Sequence, residues 1–407
     1  MSAPFSNACL AGPDMLNKTQ VTEAPIHTII TTDDLASYCA RWANETYITV
    51  DTEFLRETTY YPKLCLIQIA GATEAALIDP LAEGLDLAPF FGLMADEKVL
   101  KVFHAAKQDF EILMLLSGAL PVPVMDTQIA AMVCGFGDQV GYEAIVRKLA
   151  NASIDKSSQF TDWSRRPLTH KQTSYAISDV THLRTVYEAL VELLQKSGRA
   201  EWMKNELASL CDPATYKVDP EQSWRRIKAR IQNKKQQAVL MSVAAWRERE
   251  AQSRNVPRGR ILKDEALAEI AIQMPQTPQD VNELRLVSKG TGNSTMGAAL
   301  MKAVQHGLAR DPETIPGKPK FDEMSSSAQA ATEVLKLALK VVCESNGLAP
   351  KLIASVADIE ALAMDDNADI PAMKGWQLDV FGKVALDLKH GRAVIGMDKG
   401  KVVILPR

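Results

Sequence analysis

The sequence has no CxxC pair and no Cys/His cluster; its six cysteines stand far apart, at 9, 39, 65, 134, 211 and 343. That spacing excludes a zinc finger and a small disulfide scaffold, and it fits scattered reduced thiols in a cytoplasmic protein. No apolar run approaches the roughly 18 residues that a membrane span needs. Residues 1–24 are polar and small, without the apolar stretch of a signal peptide, and read as a disordered leader. A strong net charge is missing too: the formal sum is −4 and the pI about 6.0. Nucleic-acid binders are usually basic, so the sum by itself points away from a polyanion. What remains is a 407-residue chain, 46% hydrophobic, which is long enough for several domains with buried cores.

From Ile26 to about Ala200 the chain alternates strand-like and helix-like segments. Tyr47–Val50, Leu64–Ala70, Ala75–Ile78 and Val99–Phe103 are rich in β-branched and apolar residues, and Phe110–Leu116 has a helical pattern ended by Gly118. Strands in meander followed by strand–helix alternation predict an α/β domain with a mixed sheet. Beyond Ala200 the strand signals stop, and two helical blocks flank the Pro/Gly-rich stretch Ile315-Pro316-Gly317-Lys318-Pro319-Lys320. Gly290 and Gly297 recur as Gly375 and Gly382 at an offset of 85 residues, and His306-Gly307 recurs one residue out of step as His390-Gly391. These coincidences favour a duplicated helical module. The tail Lys401–Leu405 is too short to classify.

Three places carry carboxylates in spacings that chemistry uses. Asp51 and Glu53 lie two apart at the end of the first predicted strand, so both point to one side, with Thr52 turned away. Like charges so close repel unless a cation sits between them. Asp109 falls in the first turn of the helix that follows Val99–Phe103, where complementing the helix dipole is a sufficient role. Tyr175 and Asp179, four apart, share a helix face. Each piece alone has an ordinary explanation, such as a strand end turning into solvent or a half-buried tyrosine. Together they offer four carboxylates and a phenol, an oxygen-only set suited to Mg²⁺ or Mn²⁺.

In this order the pieces resemble the three motifs of the DEDDy 3′–5′ exonucleases: Asp51-Thr52-Glu53-Phe54, then His104-Ala105-Ala106-Lys107-Gln108-Asp109, then Tyr175-x-x-x-Asp179. A histidine five residues before the last aspartate would mark the sister branch, and that position is Ser174. Arg56 to Gln68 and Asp162-Trp163-Ser164-Arg165-Arg166-Pro167-Leu168 resemble the flanks of these motifs in the bacterial ribonuclease D family. Trp246–Glu250 and Arg254–Arg260 resemble its HRDC (helicase and RNase D C-terminal) module.

The resemblance implies a ribonuclease H-like α/β exonuclease domain over 25–215, with a mixed sheet flanked by helices. An HRDC domain over 216–312, a linker over 313–324 and a second all-helical HRDC-like domain over 325–407 would follow. It implies two divalent ions, Mg²⁺ or Mn²⁺: Asp51 bridging both, Glu53 and Asp179 completing the ion beside the attacking water, and Asp109 supporting the second ion through water. Tyr175 would orient that water. Phe54 and His104 would touch the terminal nucleotide, although packing explains them equally well. The implied partner is RNA, namely tRNA precursors and other structured RNAs with single-stranded 3′ ends, acted on by a monomer in the cytoplasm. Two rival readings stand beside this one: a DNA 3′–5′ exonuclease of the proofreading kind, and a catalytically inactive RNA-binding scaffold.

The distribution of charge answers the objection from its sum. Residues 217–310 hold seventeen Lys/Arg and nine Asp/Glu, a net of +8, which leaves −12 for the remainder. Arg225, Arg226, Lys228, Arg230, Lys234 and Lys235 form one cluster, and Arg247, Arg249, Arg254, Arg258 and Arg260 another. Pairs such as Glu250 with Arg254 would neutralise part of it. The excess predicts an RNA-backbone tether, with Arg225, Arg226, Lys228, Arg254, Arg258 and Arg260 as its contacts.

Overall fold

The computed structural model describes residues 26–316 and 324–407. The leader expected at 1–24 and residues 317–323 of the expected linker lie outside them. The described residues form two compact units: one holds 26–53, 64–215 and 324–407, the other 54–63 and 216–316.

The first unit is built on β1 (His27–Ile29), α1 (Thr32–Trp42), β2 (Tyr47–Leu55), β3 (Lys63–Ala70), β4 (Ala75–Ile78), α2 (Ala88–Ala95), β5 (Leu100–Phe103), α3 (Lys107–Ser117), β6 (Val124–Asp126), α4 (Thr127–Val133), α5 (Tyr142–Leu149) and α6 (His170–Ser197). The six strands form one sheet in the order β1-β4-β3-β2-β5-β6. It is mixed: β2 runs parallel to β5, β5 to β6 and β1 to β4, while β3 and β4 are antiparallel. The strand carrying Asp51 and Glu53 is therefore central, and it is longer than its β-branched start predicts. β1 and β6 have no sequence signal because each is only three residues long.

Alternation sorts the two faces of β2. Tyr47 donates to Glu188 of α6 (2.5 Å) and shares a core with Leu100, Val102, Met125 and the α6 residues Leu183, Val186 and Leu190. On the opposite face, Phe103 of β5 meets Phe110 of α3 edge-on, 5.1 Å between centroids. Helix α6 runs 28 residues. Thr169 and Gln172 close its N-terminus as a capping box, and Gly198 ends it in the left-handed conformation at φ 67°. No helix among the described residues is long and apolar enough to cross a membrane.

Helix α7 (Lys204–Leu210) comes next, and the C-terminal part of this unit packs on α4 and on the turn between α6 and α7 rather than standing apart. Trp202 stacks on Trp376 at 4.3 Å and 2° between planes, Ala349 N–H donates to Met132 O (3.2 Å), and Arg199 donates to Asn346 O (2.7 Å). Gly135 sits where a Cβ would come within 2.6 Å of Gly347 O, so only glycine permits this approach. This part also departs from the all-helical expectation. The tail Ala393–Asp398 pairs antiparallel with Lys401–Pro406, because β-branched residues flank an Asp-Lys-Gly-Lys turn.

The second unit contains α8 (Lys234–Arg254), α9 (Arg258–Ile261), α10 (Asp264–Gln273), α11 (Pro278–Glu283) and α12 (Thr295–Leu308) around Val239, Val243, Leu267, Ile270 and Leu300. Ile315, placed in the linker by its Pro/Gly neighbours, is buried against Ala238 and Met241. The glycine repeat does not hold its register. The helix after a short 3₁₀ turn starts at Thr295 here and at Gly375 in the C-terminal part, an offset of 80 rather than 85. Gly290 precedes its 3₁₀ turn, whereas Gly375 opens its helix.

Segment 54–63, which continues β2, belongs to the second unit. Tyr60 donates its hydroxyl to Glu248 of α8 and accepts from Gln252 (3.2 Å) and Arg258 (3.0 Å). Asn255 Oδ1 accepts the backbone N–H groups of Tyr60 (3.1 Å) and Tyr61 (3.0 Å).

Candidate active site

Strand β2 presents Asp51 and Glu53 on the α6 face, and the third turn of α6 presents Asp179. One carboxylate oxygen from each lies within 4.8 Å of the others. Asp179 is buried and its Oδ1 has no hydrogen-bond partner, while Asp51 and Glu53 are half-buried. Burial pushes the Asp51 carboxyl up to about 6. It pushes Asp179 up to about 8, with the Asp51 charge adding to the effect. Glu53 is raised to about 10 by burial and then by Asp51, Asp179 and Asp109. Three carboxyls held together at this cost, one with an orphaned oxygen, fit a hard divalent cation on chemical grounds.

Asp109 stands outside that triad. It lies in the first turn of α3 on the other face of β2, and it accepts the hydroxyl of Thr52. Thr52 is turned away from the triad, as strand alternation predicts, and what it faces is the fourth carboxylate. Burial and the Asp51 charge push Asp109 well above the usual carboxylate range.

Tyr175 lies one turn before Asp179, close enough for each group to shift the other. Burial, then the charges of Asp179, Glu53 and Asp51, push its hydroxyl well up, so at neutral pH it is a donor rather than a base. Trp163 packs beside it, 6.1 Å between centroids.

Several supporting residues carry no sequence signal, since their partners are remote. Thr49 donates to Val180 O (2.8 Å) and Tyr142 donates to Asp179 O, so two neighbouring carbonyls of α6 are tied to β2 and α5. Asp126 accepts from the N–H groups of Ala105 (3.1 Å) and Ala106 (2.9 Å), and it also caps α4. It thereby holds Ala105 at φ 59°, a left-handed conformation costly for a residue with a Cβ, at the entry to α3.

His104 is held by the protein through both ring nitrogens, Nδ1 to Thr127 Oγ1 (2.9 Å) and Nε2 to Val140 O (3.1 Å). A carbonyl only accepts, so Nε2 carries the proton. Burial lowers the ring's pKa, and Thr127 Oγ1 also lies within donating distance of Phe103 O (3.0 Å). This places His104 in packing. Phe54 is half-buried at the end of β2.

Most of the predicted RNA-contact cations are engaged. Arg258 grips the fully buried Glu248 with two bonds of 2.6 Å, and Arg226 stands 3.8 Å from the same carboxylate. Arg254 pairs with Glu250 (2.5 Å), and Arg225 binds Gln222 and lies over Trp224. Nearby, Arg247 pairs with Asp264 (2.7 Å) and Arg249 with Glu221. Lys228, Arg230, Lys235 and Arg260 are exposed and form no ion pair among the described residues.

Comparison with known proteins agrees with this geometry. A 3′–5′ exonuclease family matches residues 26–195, and the HRDC domain family matches 236–304. The ribonuclease D of Nitrobacter hamburgensis is 51% identical over 379 residues, covering 93% of this chain and 99% of the relative. The chain belongs to the ribonuclease D family. The ribonuclease D of Gluconacetobacter diazotrophicus is 46% identical over 93% of this chain and 96% of its own. The crystal structure of Escherichia coli RNase D, described as an exoribonuclease involved in structured RNA processing, superposes with a TM-score of 0.78 at 29% identity. The match covers 90% of this chain and 99% of that one. The ribonuclease D family comprises hydrolytic 3′–5′ exoribonucleases that depend on divalent metal and act on RNA, which gives the acidic triad its chemical context.

Proposed function

We propose that this protein trims RNA 3′ ends, releasing 5′-mononucleotides with two divalent ions, Mg²⁺ or Mn²⁺, and that tRNA precursors and other small structured RNAs are its substrates. The observation that carries the reading is the triad of Asp51, Glu53 and Asp179, with Asp109 behind it, in a ribonuclease D chain. Asp51, Glu53 and Asp179 would hold the ion beside the attacking water, and Asp51 would share a second ion that Asp109 supports through water. Such ions lower the pKa of that water and neutralise charge on the leaving 3′ oxygen. Tyr175, protonated, donates a hydrogen bond and orients the water for in-line attack on the last phosphodiester. The P–O3′ bond breaks, the freed nucleotide keeps its 5′ phosphate, and the shortened chain ends in a 3′ hydroxyl.

Lys228, Arg230, Lys235 and Arg260 would supply the remaining tether for the RNA backbone. We read 325–407 as a second HRDC-like module, supported by a long first helix and a later 3₁₀ turn that leads into a helix, as in the second unit. The catalytic set comes from one chain, so a monomer suffices. The five described cysteines form no disulfide among the described residues, in keeping with a cytoplasmic enzyme.

Single-stranded RNA and DNA of one sequence, labelled at the 3′ end and incubated with Mg²⁺, test the reading. Labelled mononucleotide should leave the RNA, and Asp51→Asn should abolish its release. Faster release from DNA would favour the proofreading alternative, and undiminished release by Asp51→Asn would overturn the site.

A further inference from the structure

The loop before α6 displays one side chain that folding does not use. Phe160 is 92% exposed, whereas the next most exposed large apolar side chain among those described, Met397, is 69% exposed. Its neighbours are not loose. Ser158 is buried, and its carbonyl accepts from Thr161 N–H (3.2 Å) and Oγ1 (2.7 Å). Gln172 of α6 donates to Thr161 Oγ1 (3.0 Å), and Trp163 is buried beside Tyr175. Downstream, Arg166 grips Asp79 (2.5 and 2.6 Å) and Cys65 O (2.7 Å). A clamped loop thus holds an aromatic ring out in water, giving up the burial that such rings usually contribute.

The place of the loop indicates what covers the ring. Thr161 is tied to Gln172, which lies about 10 Å along the helix axis from Asp179 at about 1.5 Å per residue. That is about the reach of one or two nucleotides from the metal-binding carboxylates. Of the cations at 156–171, Lys156 pairs with Glu143 (2.8 Å), Arg165 with Asp162 (3.5 Å) and Arg166 with Asp79, which leaves Lys171, in the first turn of α6, for a phosphate. An exonuclease that walks through any sequence needs contacts every base can make, and a π face stacked on an aromatic ring is one.

We propose that Phe160 is a stacking platform for a nucleobase one or two positions upstream of the scissile phosphate. The proposal rests on the exoribonuclease reading above. The ring adds sequence-tolerant affinity for a single-stranded 3′ end and takes no part in bond breaking.

The test uses the full chain and a short single-stranded RNA with 2-aminopurine placed in turn at each of its last four positions, bound in chelator so that no hydrolysis occurs. Wild type should quench one of these positions strongly. Phe160→Ala should relieve that quench and weaken binding about five- to 150-fold, the loss expected for one stacked base. Phe160→Trp should bind like wild type, and Phe160→Leu like Phe160→Ala. An abasic nucleotide at the quenched position should erase the difference between wild type and Phe160→Ala. With Mg²⁺ and saturating RNA, kcat should be unchanged in Phe160→Ala while KM rises. Equal RNA affinity in wild type and Phe160→Ala overturns the proposal, as does full binding by Phe160→Leu, which would mark an apolar protein-docking residue instead. A wild-type protein that stacks the base but releases no nucleotide would sink the exoribonuclease reading and leave the stacking assignment standing.

Discussion

Arg258 is the residue on which sequence and structure give opposite predictions. Within a +8 segment it reads as a phosphate contact; in the fold it neutralises Glu248, which is 0% exposed, through two bonds of 2.6 Å, while also lying over the Tyr60 ring. Burial pushes the Glu248 carboxyl up, and the hydrogen bonds from Arg258 and Tyr60 more than offset it, so the net direction is down. Removing one partner of such a pair strands a buried charge and costs about 3–5 kcal/mol, whereas replacing both with neutral groups costs far less. Arg258→Ala should therefore weaken the unit of 54–63 and 216–316 by about 3–5 kcal/mol, and Arg258→Met combined with Glu248→Gln should recover most of that. Hydrogen exchange of the α8 and α9 amides reports on this unit without interference from the rest of the chain. The salt dependence of RNA binding, measured alongside, should keep its slope in Arg258→Met/Glu248→Gln. Lys228→Glu with Arg260→Glu should reduce it by about 0.7 for each phosphate that is no longer neutralised. Unchanged exchange in Arg258→Ala together with a reduced slope would refute the structural assignment and return Arg258 to the RNA surface.

Two further outcomes follow from the site. Because the folded-state pKa of Asp179 is raised, its penalty is absent below the unfolded value near 3.8 and grows as pH rises through about 8. In chelator, Asp179→Asn should thus be more stable than wild type at pH 8, on the order of 1–4 kcal/mol, and equal to it at pH 3.5; Mg²⁺ should invert the order at pH 8, as thermal melts at the two pH values would show. Tyr142→Phe removes the hydroxyl that holds the Asp179 carbonyl. It should weaken Mn²⁺ binding, followed by electron paramagnetic resonance, and lower kcat about tenfold, with KM for RNA unchanged; wild-type Mn²⁺ affinity would exclude Tyr142 from positioning the site.

What the sequence made legible was local. Two-residue alternation put Asp51 and Glu53 on one face of β2, and four-residue spacing put Tyr175 and Asp179 on one face of α6, because both periodicities are properties of short segments. The supports of those carboxylates were not legible. Thr52 meets Asp109 across 57 residues, Tyr142 meets Asp179 across 37 and Thr49 meets Val180 across 131. Nothing near any of them announces the partner. Charge failed in a related way. A net of +8 counts cations correctly, and four-residue spacing foresees Glu250 with Arg254, but only the fold shows that Arg247, Arg249 and Arg258 are engaged by Asp264, Glu221 and Glu248. The tail 393–406 was missed because two short strands become recognisable only once they pair.

The docking of segment 54–63 on α8 has a practical consequence for any attempt to cut the protein into parts. A truncation ending near residue 215 would delete Glu248, Gln252, Asn255 and Arg258, yet keep Tyr60 and Tyr61, which are built to rest on them. Two aromatic rings and a set of backbone donors would be released directly downstream of Asp51 and Glu53. Lost activity in such a fragment would then measure a damaged strand exit as much as a missing RNA tether. A chimera that exchanges the helical module between family members would need to carry 54–63 with 216–316, as one graft made of two pieces of chain.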